Sequence, residues 1–263
     1  MLSLVWEKRS IPLYWRLLDK RGCSNICEQQ ALITPVLELL SDYEVIVLGD
    51  SLGDSFALRE VGSVKLASWL CNKQVKFILR VKQGRYIQSE NFDYILLSYL
   101  GLLPGTSFYL SDVSLPNKKD LGLLILLVIG SVNIEDNRKM LRWYLLTNVG
   151  TFKQSIDTFK CRSGIEAMFK DCKSGGYNLE RSPANNQRLS SLILLIAIAY
   201  SCAVIQGQKI KTMGVEKYVG RLTEYGRSIR RHSSFWIGLY GQCWAPRSGG
   251  NWYGFLSRHY YAH

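Results

Sequence analysis

The chain has 263 residues, 47% of them hydrophobic, and its 33 Lys and Arg against 21 Asp and Glu give a formal net charge of +12. That length and apolar content can fill a substantial core, which excludes a disordered chain and a small disulfide-stapled scaffold. A basic excess spread along an enzyme-sized chain points to a polyanionic partner, nucleic acid before others, although basic soluble proteins without such a partner also exist.

The opening MLSLVWEKRSIPLYW alternates in polarity around Leu2, Leu4, Trp6, Ile11, Leu13 and Trp15, which predicts two strands joined by a bend near Glu7 to Ser10. It carries no long apolar run leading to a small-residue cleavage site, so a secretory signal is not expected. From Asn25 to Leu40, Ala31, Leu32, Val36, Leu39 and Leu40 recur at helical spacing, with Pro35 as a kink or boundary. Glu44 to Leu48 reads as a buried strand, with Val45 to Leu48 expected at the centre of a mixed sheet. Val64 to Leu70 reads as a short helix and Lys76 to Val81 as the next strand. Strand, helix and strand in that order predict an α/β fold.

Between about Gly84 and Gly150, short apolar runs are punctuated by Pro104-Gly105, Pro116-Asn117 and the charged stretch Glu135 to Lys139. This pattern predicts a β-rich segment inserted into the α/β domain. Helical spacing resumes near Ser155. The expected organisation is therefore residues 1–83 as the first part of the core, 84–150 as the insertion, and 151–263 as the second part with C-terminal helices. Leu189 to Ile205, LSSLILLIAIAYSCAVI, is uncharged and just long enough to be weighed as a membrane span. Its Ser190, Ser191, Tyr200 and Ser201 favour a buried central helix, with no membrane partner.

Seven cysteines are scattered along the chain and no Cys-x-x-Cys pair occurs. Cys23 and Cys27 are not followed by a second Cys/His pair at finger spacing, so a zinc site is not expected. Reduced thiols in a cytoplasmic protein fit this usage.

Two stretches carry chemistry. In the first, VIVLGDSLGDSF, an apolar run breaks into Gly49-Asp50-Ser51-Leu52. It resembles the nucleophile block of GDSL esterases, in which Ser51 would attack an ester. It can equally be a strand that delivers the Asp50 carboxylate to a metal. The esterase reading needs a His to activate Ser51, usually within Asp-x-x-His. The residues three before His232, His259 and His263 are Ile229, Leu256 and Tyr260, none of them acidic.

The second stretch is residues 157–180, DTFKCRSGIEAMFKDCKSGGYNLE. Wound as one helix, it puts Phe159, Arg162, Glu166 and Lys173 in a single stripe beside an apolar face of Cys161, Ile165, Met168, Phe169 and Cys172. A carboxylate between two cations suits a metal ion next to a phosphate backbone. The same spacing also describes an ordinary amphipathic helix with an Arg162–Glu166 surface pair.

The order Phe-x2-Arg-x3-Glu-x6-Lys closely resembles the signature around the last catalytic carboxylate of the insertion-sequence-four superfamily of bacterial DDE transposases. There the first position is usually Tyr, so Phe159 lacks any hydroxyl contact to DNA. The blocks IPLYWRLLDKRGCSN, GSVKLASWL with FILRVKQ after it, WYLLTN and RHSSFWIGLYGQCW resemble the same family, so the resemblance runs along nearly the whole chain.

The resemblance implies an RNase H-like core in which two Asp and one Glu hold two Mg²⁺ or Mn²⁺ ions for metal-dependent strand cleavage and transfer of an insertion sequence. Asp50 matches the second Asp and Glu166 the Glu, while Phe159, Arg162 and Lys173 match DNA-contacting positions. Transposon ends and target DNA would be the partners, and assembly of oligomers on DNA would be compatible with this. Two departures stand out. The family's first Asp lies upstream of the IPLYW block by more residues than precede it here, which implies an N-terminally truncated, catalytically impaired copy. The family's Gly-Asp-Arg-Glu-Phe is replaced by Gly49-Asp50, then SLGDSFAL, then Arg59-Glu60-Val61, which leaves Asp50 or Asp54 as the candidate ligand. A DNA-binding remnant without catalysis is the competing reading.

Overall fold

The computed structural model describes residues 1–6, 9–20, 24–49, 62–89, 92–100, 106–113, 124–132, 140–173, 177, 185–219 and 232–241. By its internal contacts the chain divides into two compact units, Met1–Glu166 and Ala167–His263.

In the first unit, β1 (Leu2–Trp6) and β2 (Arg9–Tyr14) form the expected antiparallel hairpin, with Leu4 opposite Ile11 and Trp6 opposite Arg9. Helix α1 (Ile26–Leu39) starts at a capping box: the Asn25 side chain accepts from the Glu28 N–H at 2.9 Å, and the Glu28 carboxylate accepts from the Asn25 N–H at 2.7 Å. The ammonium of Lys20, 2.7 Å away, and the Asn25 N–H hold the Glu28 carboxyl below its ordinary value. Pro35 lies inside α1 and does not end it. Helix α2 (Gly62–Asn72) closes with Gln74 in the left-handed region at φ 56°, where the Val75 N–H reaches back to the Leu70 carbonyl at 3.0 Å.

The main sheet has the order β3-β4-β9-β8-β7, built from β3 (Ile46–Gly49), β4 (Lys76–Val81), β7 (Ser107–Val113), β8 (Leu124–Val132) and β9 (Met140–Thr147). β3 and β4 run parallel through the α2 crossover and the other pairs are antiparallel, so the sheet is mixed, as expected. β5 (Tyr86–Ser89) and β6 (Phe92–Leu96) form a separate hairpin that leads into a 3₁₀ turn at Leu97–Tyr99.

Alternation along β4 sends side chains to both faces. Phe77, Leu79 and Val81 join Leu126, Val128, Tyr144 and Leu146 in a core that also holds Ile33 of α1 and Val64, Ala67 and Leu70 of α2. Ile78 and Leu145 meet Val149 and Phe159 on the opposite face, under helix α3 (Phe152–Lys160). The sheet is thus covered by helices on both sides.

One expectation changes here. Val45 to Leu48 is not central: β3 is an edge strand of the described sheet, and its residues are only partly buried. The inner positions go to β4 and β9, whose Phe77-Ile78-Leu79 and Tyr144-Leu145-Leu146 runs are apolar on both faces and buried. Of the described strands within 84–150, β7, β8 and β9 belong to the main sheet, while β5 and β6 form their own hairpin.

In the second unit, helix α5 (Asn186–Thr212) packs along α7 (Ser234–Gly241), with the short α6 (Glu216–Val219) beside them. Only one stripe of α5 is buried, through Ile196, Tyr200, Ala203, Val204, Gly207 and Ile210, while Leu194, Leu195, Ile198 and Ile205 are exposed. The expectation of a buried central helix therefore holds for one face alone. By length and composition α5 is long and apolar enough to cross a membrane, a test that core helices also pass. What brings α5 and α7 together is the absence of side chains at Gly207 and Gly238. A Cβ on Gly207 would run into the Ser234 carbonyl and lie 2.7 Å from the Gly238 nitrogen, and one on Gly238 would run into the Ala203 carbonyl. Tyr200 stacks on Phe235 at 5.0 Å, and the Ser234 hydroxyl donates to Gln208 Oε1 at 3.0 Å.

Because backbone carbonyls block these positions, Gly207→Ala or Gly238→Ala should lower stability by about 1–3 kcal/mol or more, seen as a fall in Tm at unchanged helix content below the transition. All the cysteines described, Cys27, Cys71, Cys161, Cys172 and Cys202, are free thiols. Burial, reinforced by the Asp171 carboxylate, pushes the Cys172 thiol up to about 11, so it stays protonated through the neutral range. Peptide mapping after iodoacetamide treatment of the folded protein at pH 8 should find exposed Cys27 and Cys202 alkylated and Cys172 unmodified until denaturant is added.

Candidate active site

The signature stretch is two helices and not one. α3 ends at Lys160, and α4 (Ser163–Lys173) begins after a tightened turn at Cys161-Arg162. Through the junction the backbone bonds span three residues, Cys161 to Thr158, Arg162 to Phe159, Gly164 to Cys161 and Ile165 to Arg162, all at 3.0–3.1 Å. The Ser163 hydroxyl donates to the Lys160 carbonyl at 3.0 Å. A three-residue turn advances about 120° per residue where an α-helix advances about 100°. The single stripe drawn on an unbroken helix is therefore replaced by a bent one.

Gly164 explains where the bend sits. Its missing side chain lets the start of α4 rest on β2: a Cβ there would lie 3.0 Å from both the Arg9 carbonyl carbon and the Ser10 hydroxyl. Ser10 is itself buried. The hairpin thus sets the position of the helix two residues before its carboxylate.

Phe159 is 2% exposed and meets Trp143 of β9 edge-to-face at 5.7 Å. As a DNA-contacting residue it is corrected: the ring belongs to the core and has no surface to offer a partner. Its role is indirect. The Arg162 guanidinium lies over this ring at 5.5 Å, and its Nη1 donates to Glu166 Oε1 at 2.8 Å. The side chain of Arg162 is 16% exposed and that of Glu166 51%. A chain of contacts therefore runs from the sheet through Trp143, Phe159 and Arg162 to a carboxylate facing solvent. Lys173 is exposed in the last turn of α4, two turns or about 10 Å along the axis from Glu166. Lys170, one turn from Glu166 and also exposed, is a cation that the family signature did not single out.

The other half of the expected site follows β3. A Cβ on Gly49 would lie 2.6 Å from Leu79 Cδ2, so any larger residue at the strand end would have to displace that methyl. Asp50, Ser51 and Asp54 come next in the chain and lie outside the described residues. Among the described residues no group of three or more His, Cys, Asp and Glu side chains is gathered to hold a metal ion. One carboxylate already paired with a guanidinium does not fit two divalent ions by itself, and no catalytic step is derived through them.

An open cleft of about 400 Å³ lies at the other end of β3 and β4, lined by Leu37, Tyr43, Trp69 and the charged groups Glu38, Glu44, Lys73 and Lys76. Its two carboxylates balance its two ammoniums, and Lys76 is paired with Glu44. Such a cleft does not select a polyanion.

The chain matches no known protein-family model and none of the curated proteins with which it was compared.

Burial separates the roles of the two central residues. Phe159→Ala should cost about 3–5 kcal/mol in urea denaturation, as expected for a buried aromatic. Glu166→Ala, which removes a half-exposed ion pair, should cost under about 1 kcal/mol. A cost as large for Glu166 as for Phe159 would make the carboxylate a structural group.

Proposed function

We propose that this chain is a DNA-binding relative of the DDE transposases of the insertion-sequence-four superfamily, working in a reducing cytoplasm, with its two-ion strand-transfer chemistry impaired. The observation that carries the reading is the Arg162–Glu166 arrangement: a solvent-facing carboxylate at the start of a helix, with a guanidinium seated over a buried ring beside it. An ordinary surface pair needs no such foundation, since two exposed side chains can meet without a core residue beneath one of them. The Phe-x2-Arg-x3-Glu-x6-Lys order, the mixed α/β sheet and the net charge of +12 support the same reading.

In this reading Arg162 and Lys173 orient phosphates, and Asp50 or Asp54 joins Glu166 as the ligand set for Mg²⁺ or Mn²⁺. When bound, the ions would activate a hydroxyl nucleophile and stabilise charge on the phosphate. The eight residues SLGDSFAL between Asp50 and Arg59 displace whichever groups should follow the second carboxylate, which is why cleavage is expected to be weak or lost. The alternative, a DNA-binding remnant without catalysis, differs only in whether the site binds ions at all.

Duplex binding should be largely independent of sequence and fall steeply with salt. Lys173→Ala should weaken it on all sequences and reduce the slope of log affinity against log salt by about one. With Mg²⁺ or Mn²⁺ the purified chain should neither nick nor join DNA, and deletion of Ser51 to Leu58, which puts Asp50 directly before Arg59, should recover cleavage. Metal-dependent cleavage by the unmodified chain that vanishes in Glu166→Ala would overturn the impairment. Absence of any DNA binding at low salt would overturn the reading as a whole.

A further inference from the structure

Helix α7 has a second face that is not packed against α5 among the described residues. Phe235, Ile237, Gly238 and Gly241 are buried, and α5 lies against the glycine-bearing side. At four-residue spacing on the remaining side stand His232, Trp236 and Tyr240. The His232 and Trp236 rings stack at 3.9 Å with 20° between their planes, and Trp236 and Tyr240 lie 4.5 Å apart at 40°. The Ser233 hydroxyl accepts the Trp236 N–H at 3.1 Å, which sets the helix start directly after His232 and so fixes the first ring over the second.

Among the described residues this column ends at the His232 ring on one side and the Tyr240 ring on the other. Trp236 is enclosed between its neighbours, but Tyr240 is 52% exposed at the far end, and its outward face is where another flat ring would continue the column. Close by, Val219 of α6 packs on Gly241, so the neighbouring Tyr218, 46% exposed, belongs to the same end of the unit, with the Lys217 ammonium 5.0 Å over its ring. The described charges of this part of the chain are lopsided: Lys209, Lys211 and Lys217 stand against Glu216. Stacked aromatics ending in an exposed ring, together with cations for the backbone, are the two elements by which proteins hold unpaired nucleotides. A duplex offers phosphates but keeps its base faces covered, so it can satisfy only the charge.

We infer that the outer face of α7, ending at Tyr240 and flanked by Tyr218 and Lys217, is a stacking platform for single-stranded DNA. The inference rests on the proposed DNA-directed function but concerns another surface from that of Glu166, and it adds a preference for unpaired bases. A base stacks on the Tyr240 ring, and Lys217 meets the adjoining phosphate.

The test uses the full chain, a thymidine hexanucleotide, the same oligonucleotide carrying 2-aminopurine, and a duplex of mixed sequence. Fluorescence anisotropy should show binding of the single strand, and 2-aminopurine emission should be quenched on binding, as stacking requires. Tyr240→Ala should weaken single-strand binding about ten- to hundredfold and abolish the quenching, while Tyr240→Phe retains both and duplex affinity is unchanged in either variant. Single-strand binding without quenching in the unmodified chain, or equal single-strand affinity in Tyr240→Ala, overturns the platform and leaves the duplex-binding reading intact. Failure of the unmodified chain to bind either DNA overturns both. Because the quenching is read on the unmodified chain, the result does not depend on a variant that fails to fold.

Discussion

The pairing of β4 with β9 is the constraint on which the first unit rests. Sequence-distant strands meet there in antiparallel register, with Ile78 opposite Thr147 and Val81 opposite Tyr144, and the seam is sealed by side chains as well as backbone. The Thr147 hydroxyl donates to the Phe77 carbonyl at 2.6 Å and accepts from the Val149 N–H at 3.0 Å. Asn148 continues the ladder with its amide, accepting from the Phe77 N–H at 2.8 Å and donating to the Val75 carbonyl at 3.0 Å. Each of these partly or fully buried groups is satisfied, so the seam carries no desolvation penalty. It joins the parallel βαβ part of the sheet to the antiparallel part contributed by residues 107–147.

From that seam the site is built outward in steps of decreasing burial. Trp143 on β9 supports Phe159, Phe159 lies beneath Arg162, and Arg162 fixes one oxygen of Glu166. On the other side of β4, Gly49 closes β3 against Leu79 at the last described residue before Asp50. The break between α3 and α4 belongs to the same construction: seating Gly164 on Arg9 and Ser10 requires the helix to turn off its axis.

The second unit uses a different device. Its helices approach until backbone meets backbone at Gly207 and Gly238, a contact whose energy comes from close van der Waals fit. The consequence is a thin α7 whose two faces do separate things, one closed against α5 and the other carrying the ring column of His232, Trp236 and Tyr240.

Local pattern alone determined a good deal. The opening hairpin, α1, the β3-α2-β4 unit and the helical character after residue 151 were all legible, because alternation and 3.6-residue spacing report which face of an element meets the core. The proximity of Arg162 and Glu166 was legible too, since four residues make one helical turn. Tertiary structure alone decided the rest. Nothing in IVLG says that it lies at an edge, because a strand's rank depends on which partners pair with it. The strands of residues 107–147 could not be recognised as parts of the main sheet, since register between distant segments is set by contacts such as those of Thr147 and Asn148. The burial of Phe159 and the bend at Cys161-Arg162 follow from Trp143, Arg9 and Ser10, residues remote in sequence. A helical wheel assumes a straight axis and contains none of them.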